Sequence, residues 1–312
     1  FKDGERYAIN PTYTWLVNDD TSLVASYEYV NDDRLVDRGI PSENNKPIEG
    51  YTDTYFGNPD FNNTTLEAHI ARVRVDHSLN QNWSVNGTVQ LADYDKVYQN
   101  LYPIGFDSTA QTVRLDGYRD TTSRENLLFQ ANVIGQIVTG NIEHTLLTGI
   151  EYGNQDTSNN RRDAFFEISQ DDQVSFAFTN PLNIPAMTLT SPVRDRASDV
   201  SFTSVFVQDE VKLNDNWIVV AGFRYDNFDI DVNDAIEAAN GATDGNNGRL
   251  SSSDSQVSPR AGLIYKPSEE LSFYASYSKS FLPRSGDQFL TLSLSSAALD
   301  AEEFENKEIG VK

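Results

Sequence analysis

The stretch Trp83-Ser84-Val85-Asn86-Gly87-Thr88-Val89-Gln90-Leu91 decides the fold class. Apolar and polar residues alternate along it without a break, so one side of the segment is apolar and the other is polar. A period of two residues predicts a β-strand, because successive side chains of a strand point to opposite faces. A helix would instead place apolar residues three and four positions apart.

The same alternation recurs along the chain, in segments 7–15, 22–31, 127–133, 217–225 and 271–277. The predicted strands have about 10 to 14 residues, whereas strands of soluble proteins commonly have about 5 or 6. The pattern therefore predicts an all-β, antiparallel protein with about eleven long strands.

The connections between these strands alternate between tight polar turns and long polar loops. The tight turns fall at 18–20, 80–82, 139–141, 214–216 and 267–270. The long loops are predicted at 33–63, 96–121, 155–198, 232–253 and 281–306. Alternate connections of an antiparallel meander lie at opposite ends, so one rim carries only turns. This asymmetry is typical of a transmembrane β-barrel with short periplasmic turns and long extracellular loops.

The tryptophans favour the same interpretation, because Trp15, Trp83 and Trp217 each lie within a few residues of a tight turn. An aromatic belt at a membrane interface has this arrangement, although a soluble core near a hairpin is the alternative. We expect the apolar parity to face lipid, with members Val85, Val89, Leu91, Phe129, Val133, Phe223 and Phe273. We expect the polar parity to face the lumen, with members Asn86, Gln90, Gln130, Asn132 and Arg224. Asp209 breaks the apolar parity of its strand.

Composition excludes several classes of function. The chain has 312 residues and a net charge of −23, which excludes a nucleic-acid clamp. It has no cysteine, so thiol chemistry is excluded, and it has only three histidines. No nucleophile motif accompanies the histidines, and the acidic run 226–234 fails the spacing of a calcium loop. We therefore predict no enzymatic activity, no cofactor and no metal site.

The long loops carry aromatic and arginine side chains that suit a rigid, anionic, aromatic ligand, through stacking and cation–π contacts. The alternative is that these side chains only pack the loops against themselves. The predicted ligand-binding residues are Tyr98, Tyr102, Phe106, Arg161, Arg162, Phe165, Phe281 and Arg284.

Several segments resemble the barrel of TonB-dependent siderophore receptors. They are 37–42, 55–59, 205–211, 222–226, 258–265, 272–281 and 303–312. The resemblance implies an outer-membrane receptor that imports ferric siderophores with energy from the TonB complex, with iron held inside the chelate. It also implies a 22-stranded barrel with an amino-terminal plug.

The chain begins and ends within strand patterns, so we expect residues 1–312 to be a partial barrel domain, roughly strands five to fifteen. The plug, the first strands and the carboxyl-terminal strands would lie outside it. The expected partners are a ferric siderophore, outer-membrane lipid and the TonB complex, which is contacted through the missing plug. A TonB-dependent carrier of a sugar or cobalamin and a passive porin are the alternatives.

Overall fold

The computed structural model describes residues 3–241, 247–283, 290 and 292–312. Most of them belong to antiparallel strands, as the alternation predicts. The strands are β1 (Gly4–Ile9), β2 (Thr12–Asn18), β3 (Thr21–Leu35), β4 (Ser42–Glu43), β5 (Lys46–Pro47), β6 (Asn63–Ser78), β7 (Trp83–Asp107), β8 (Thr112–Thr139), β9 (Ile142–Phe166), β10 (Val174–Ala177), β11 (Met187–Leu189), β12 (Arg194–Lys212), β13 (Trp217–Asp234), β14 (Arg249–Ser268), β15 (Leu271–Leu282) and β16 (Glu302–Val311). The helices are α1 (Ala235–Ala239) and α2 (Leu294–Ala297).

One large sheet contains the main strands in the order β1-β3-β6-β7-β8-β9-β12-β13-β14-β15-β16. β2 also pairs with β3, and its register continues that of β1 because Ile9 lies opposite Tyr29 and Thr12 lies opposite Ser26. The two segments are therefore one strand interrupted at Pro11, which has no N–H to donate to a ladder. Counted this way, the main path of the sheet has the predicted eleven strands among the described residues, and each neighbour in space is the next long strand in sequence. The short strands β10 and β11 pair with β8 and β9 beside this path.

All five predicted tight turns join neighbouring strands at one rim. They connect β2 to β3, β6 to β7, β8 to β9, β12 to β13 and β14 to β15. Asparagine side chains close three of them. Asn18 Oδ1 accepts from the backbone N–H of Asp20 at 3.0 Å, and Asn80 Oδ1 and Asn214 Oδ1 accept from those of Asn82 and Asn216 at 2.9 Å. No helix among the described residues is long and apolar enough to cross a membrane.

The second predicted loop is wrong. β7 continues to Asp107 and β8 begins at Thr112, so most of the segment 96–121 is a paired hairpin. The third predicted loop also starts too early, because β9 runs to Phe166. Both faces of these extensions lie outside the lipid, so they need no apolar–polar alternation and carry no period-two signal.

The apolar parity leaves large hydrophobic side chains uncovered, whereas the polar parity buries some of its carboxylates. On the apolar parity, Leu91 is 55% and Phe223 is 62% exposed, whereas Asp226 of the polar parity is only 7% exposed. Exposed aromatic groups and buried carboxylates are the reverse of a soluble protein. Such an arrangement suits a barrel wall with lipid outside and a polar lumen.

Arg224 shows how the polar face is satisfied. Its Nη1 lies 2.6 Å from Glu151 Oε2, its Nε lies 2.7 Å from Asp226 Oδ1, and its Nη2 donates to Ser204 Oγ at 2.6 Å. Gln130 Nε2 donates to the other oxygen of Glu151 at 2.9 Å. Charge-assisted hydrogen bonds between side chains thus link β8, β9, β12 and β13 on the lumenal face.

A row of acidic residues ends the apolar face. Register places its members side by side on five strands: Asp93, Glu125, Asp156, Asp199 and Asp231. On β8 the apolar positions run from Ile137 to Leu127, about 33 Å along the strand. At a tilt of about 40° this is about 25 Å along the membrane normal, the height of the apolar band of outer-membrane barrels. The acidic row therefore marks the outer boundary of the lipid-facing surface.

Candidate functional site

Beyond the acidic row, β7, β8 and β9 continue as a paired three-stranded extension of the wall, with one face on the lumenal side and one on the outer side. Continuing the register from Asp93 opposite Glu125 puts Tyr98 opposite Asp120, and Asp120 opposite Arg161. These residues have the parity of the lumenal face. The strand extensions therefore bring aromatic and charged side chains of separate strands to the inner side of the wall, above the membrane.

Three tyrosines and two arginines meet on this face, and we call Arg38, Tyr98, Tyr102, Tyr118 and Arg161 the tyrosine–arginine cluster. The Tyr118 ring centroid lies 6.0 Å from those of Tyr98 and Tyr102. The guanidinium carbon of Arg161 lies 3.8 Å from the centroid of the Tyr118 ring. Such cation–π stacking orients the guanidinium plane and leaves its edge available for an anionic group.

Arg38 belongs to the connection between β3 and β6 and reaches the same cluster. It donates to the hydroxyls of Tyr118 at 3.3 Å and Tyr98 at 3.5 Å, and its guanidinium carbon lies 4.9 Å from the Tyr102 ring centroid. The hydrogen bond with Tyr98, and next that with Tyr118, raises the pKa of Arg38 above its usual range. Within the described part of the chain Arg38 forms no ion pair, so its charge is free to meet an anion.

Acidic groups border the cluster and complete its electrostatics. Arg161 Nε lies 3.2 Å from Asp163 Oδ1, so this arginine is partly neutralised whereas Arg38 is not. Burial raises the pKa of the Asp116 carboxyl, which lies opposite Tyr102 in the ladder. Burial likewise raises the pKa of the Tyr102 phenol. Arg38 therefore carries the least compensated positive charge of the cluster.

The loop that carries Arg38 is fixed to the wall by Asn62. This side chain is 1% exposed. The ladder between β6 and β7 ends at Asn63 opposite Gln99, and beyond that point the Asn62 side chain takes the place of a strand backbone beside Leu101. Its Oδ1 accepts from the Leu101 N–H at 2.7 Å, and its Nδ2 donates to the carbonyls of Leu101 at 2.8 Å and Val36 at 3.2 Å. Tyr55 Oη also donates to the Val36 carbonyl at 2.7 Å.

A small hydrophobic core holds two long connections against the other face of the extensions. Its buried members are Phe56, Leu101, Val113, Leu115, Ala164, Phe166 and Val174. Phe178 of the connection after β9 stacks on Phe56 of the connection after β3, with centroids 5.9 Å apart. Asn180 Nδ2 donates to Thr54 Oγ1 at 3.1 Å between the same two segments. Arg38 is thus presented by a packed loop.

The structure brings together three of the eight predicted ligand-binding residues: Tyr98, Tyr102 and Arg161. All three lie on strands, not in loops, because β7 and β9 are longer than predicted. Phe106 lies on β7 and packs against the hydrophobic core, with its ring centroid 6.0 Å from that of Tyr51. Phe106 thus packs a connection against the strands and does not belong to the tyrosine–arginine cluster.

The other predicted residues lie away from the cluster. Arg162 is on β9 opposite Arg119, on the face opposite to Arg161. Phe165 is also on β9, and among the described residues it makes no ring contact with the tyrosines. Phe281 is on β15, opposite Glu303, several strands from β7. Arg284 falls outside the described residues.

Sequence reasoning missed Arg38 and Tyr118 as site residues. Tyr118 was hidden because the hairpin was interpreted as a loop, in which register gives no information. Counting onward from Asp93 opposite Glu125 would have paired Tyr118 with Asn100, beside Tyr98 and Tyr102. Arg38 has no such signal, because only folding of the loop brings it to the strands.

An open antiparallel sheet of long strands with an apolar outer face and a polar inner face is typical of the wall of an outer-membrane β-barrel. The family model described as TonB dependent receptor-like, beta-barrel matches residues 10–312. The chain belongs to this family, whose members are outer-membrane proteins, so the resemblance found in the sequence is confirmed.

The individual relatives share less than 30% of their residues with this chain. The chain is 28% identical over 340 residues to the metal-pseudopaline receptor CntO of Pseudomonas aeruginosa, covering 100% of this chain and 42% of that protein. It is 26% identical over 341 residues to the probable TonB-dependent siderophore receptor PiuA of Acinetobacter baumannii, covering 99% and 44%. The crystal structure of PiuA matches with a TM-score of 0.83 at 24% identity, covering 99% and 47%. The chain thus spans less than half the length of these relatives.

Proposed function

We propose that this chain is the central barrel portion of an outer-membrane receptor that imports a ferric siderophore with energy from the TonB complex. The observation that supports it is the tyrosine–arginine cluster on the lumenal side above the membrane. Three tyrosine rings meet there, the Arg161 guanidinium lies over one of them, and Arg38 forms no ion pair among the described residues. A ferric chelate is bulky and often anionic, and it presents flat or polar faces. Stacking and charge-assisted hydrogen bonds suit such a ligand.

In this proposal residues 1–312 form part of the barrel domain, and the plug and the remaining strands lie elsewhere in the full-length receptor. The barrel supplies the wall and the outer half of the binding pocket. The TonB complex acts through the plug, and the iron stays inside its chelate, so the chain performs no catalysis and holds no cofactor. The similarity to CntO, a metal-pseudopaline receptor, and to PiuA, a probable TonB-dependent siderophore receptor, supports a metal chelate as the ligand class.

Uptake of radiolabelled iron by cells producing the full-length receptor tests this function. We expect uptake from at least one ferric siderophore, dependent on TonB and reduced by Arg38→Ala. Sugars and cobalamin are assayed in the same cells, because a carrier of either is the alternative within the family. Uptake of a sugar or cobalamin, with none of any ferric siderophore, would contradict the proposal.

A further inference from the structure

A histidine and an aspartate interrupt the lipid-facing surface near the turn rim. On β12, Asp209 lies opposite Leu146 of β9 and Val211 lies opposite His144. Both positions have the apolar parity, which is otherwise filled on this strand by residues such as Val205 and Val207. The pair therefore lies on the outer surface of the wall, remote from the tyrosine–arginine cluster.

The geometry of the pair leaves one ring nitrogen for another partner. His144 Nδ1 lies 2.8 Å from Asp209 Oδ2, and the two side chains are 25% and 33% exposed. Within the described residues, Asp209 Oδ1 has no hydrogen-bond partner, and no other ion pair involves either side chain. When the imidazole is protonated, Nδ1 donates to the carboxylate and Nε2 retains an N–H that points to no described acceptor.

The depth of His144 matches the polar layer of the bilayer. It lies three residues beyond the turn at Gly140 and Asn141, about 10 Å along the strand and about 8 Å along the membrane normal at a tilt of about 40°. Headgroups occupy roughly the outer 5 to 8 Å on each side of the hydrocarbon core. Trp83, two strands away from β9, lies near its own turn at a similar height.

A charged pair on a lipid-facing surface is costly unless a partner meets it. On the lumenal face such partners come from the protein itself, since Arg224 pairs with Glu151 and Asp226. The molecules that face His144 are the lipids of the periplasmic leaflet. Their common charged group at this depth is the phosphodiester, which accepts hydrogen bonds from cationic donors.

We propose that His144 binds the phosphate group of a glycerophospholipid in the periplasmic leaflet, with Asp209 as the positioning residue that fixes its ring. The imidazolium donates from Nε2 to a phosphate oxygen, while the carboxylate holds Nδ1. Asp209 lies two residues deeper than the ladder partner of His144, so its hydrogen bond restrains the ring on the face that meets the headgroups. This lipid contact is independent of what the receptor transports.

Native mass spectrometry of the full-length receptor, stripped of lipid in a phosphate-free detergent, tests the proposal. The probes are phosphatidylethanolamine and diacylglycerol, which share acyl chains, whereas only phosphatidylethanolamine carries a phosphoethanolamine headgroup. We expect His144→Gln to weaken phosphatidylethanolamine binding by about tenfold and to leave diacylglycerol binding unchanged. His144→Arg should restore the binding, because a permanent cation replaces the imidazolium.

Two further variants locate the effect. Asp209→Asn should also weaken phosphatidylethanolamine binding, without any change to the imidazole itself. Glu143→Gln is the matched control, because Glu143 neighbours His144 in sequence but lies on the opposite face of the sheet. Its Oε2 there lies 3.9 Å from Lys212 Nζ. Equal phosphatidylethanolamine binding by the wild type, His144→Gln and Asp209→Asn would overturn the proposal. Equal losses of diacylglycerol and phosphatidylethanolamine binding would overturn it too, because the phosphate would then have no part.

Discussion

Replacing Asn62 with alanine should release the loop that presents Arg38 while the barrel wall stays folded. The change removes the donor to the carbonyls of Leu101 and Val36. It also removes the acceptor for the Leu101 N–H at 2.7 Å and, more weakly, for the Asn58 N–H at 3.3 Å. Leu101 is 0% exposed, so water does not reach the groups left behind. A buried group without its partner costs about 1 to 3 kcal/mol. Two such groups on Leu101 therefore give a loss of about 3 kcal/mol.

This loss is local, because the ladders on either side of Asn62 remain intact. Hydrogen exchange detected by mass spectrometry should show the Leu101 amide and the segment 36–62 opening about 100-fold more readily. Affinity for the chelate should fall in parallel, since Arg38 is no longer held against Tyr98 and Tyr118.

Asn58→Ala is the matched control, because it removes only an exposed side-chain acceptor that bonds the Asp60 N–H at 2.9 Å. It should leave the exchange of Leu101 unchanged. Unaltered exchange at Leu101 in Asn62→Ala would refute the reasoning, since the side chain would then not be replacing a strand.

Three further predictions test the wall and the loop. Val89→Arg should destabilise the barrel in lipid by about 2 to 4 kcal/mol in a denaturant titration, whereas Gln90→Arg on the lumenal parity should have little effect. Burial raises the pKa of Asp116, so ionising this carboxyl costs more in the folded hairpin than in the unfolded chain. The hairpin is therefore most stable below about pH 4, where the carboxyl is protonated in both states, and it loses stability as the pH rises through the folded pKa. Asp116→Asn should abolish that dependence in hydrogen exchange of the hairpin. Burial raises the pKa of Tyr55 to about 12, so Tyr55→Phe should remove a late-titrating phenol from the ultraviolet titration.

The wall was predictable because lipid imposes the alternation on it. Every residue between Trp83 and Leu91 meets either lipid or the lumen, and the pattern records which. The five turns were predictable for a related reason, since polar residues such as Asn80 and Asn214 interrupt the alternation and close the turns with their own side chains.

The site was only partly predictable, because the lipid constraint ends at the acidic row. Beyond Asp93 both faces of β7 can be polar, so Tyr98 and Tyr102 looked like loop residues although they lie on a strand. The chemistry of their side chains selected these two tyrosines and Arg161 as ligand-binding candidates, and the fold brings the three together. Arg38 depends on a tertiary contact through Asn62, which no local pattern encodes.

The most direct test of the central claim is the affinity of the full-length receptor for a ferric siderophore that it transports, measured by quenching of intrinsic fluorescence. We compare Arg38→Ala with Arg119→Ala, which removes an exposed arginine next to Tyr118 in sequence but on the opposite face. The account predicts that Arg38→Ala weakens binding by about tenfold or more and that Arg119→Ala leaves it unchanged. Equal affinity for the wild type and Arg38→Ala, with the loop still protected from hydrogen exchange, would contradict the account.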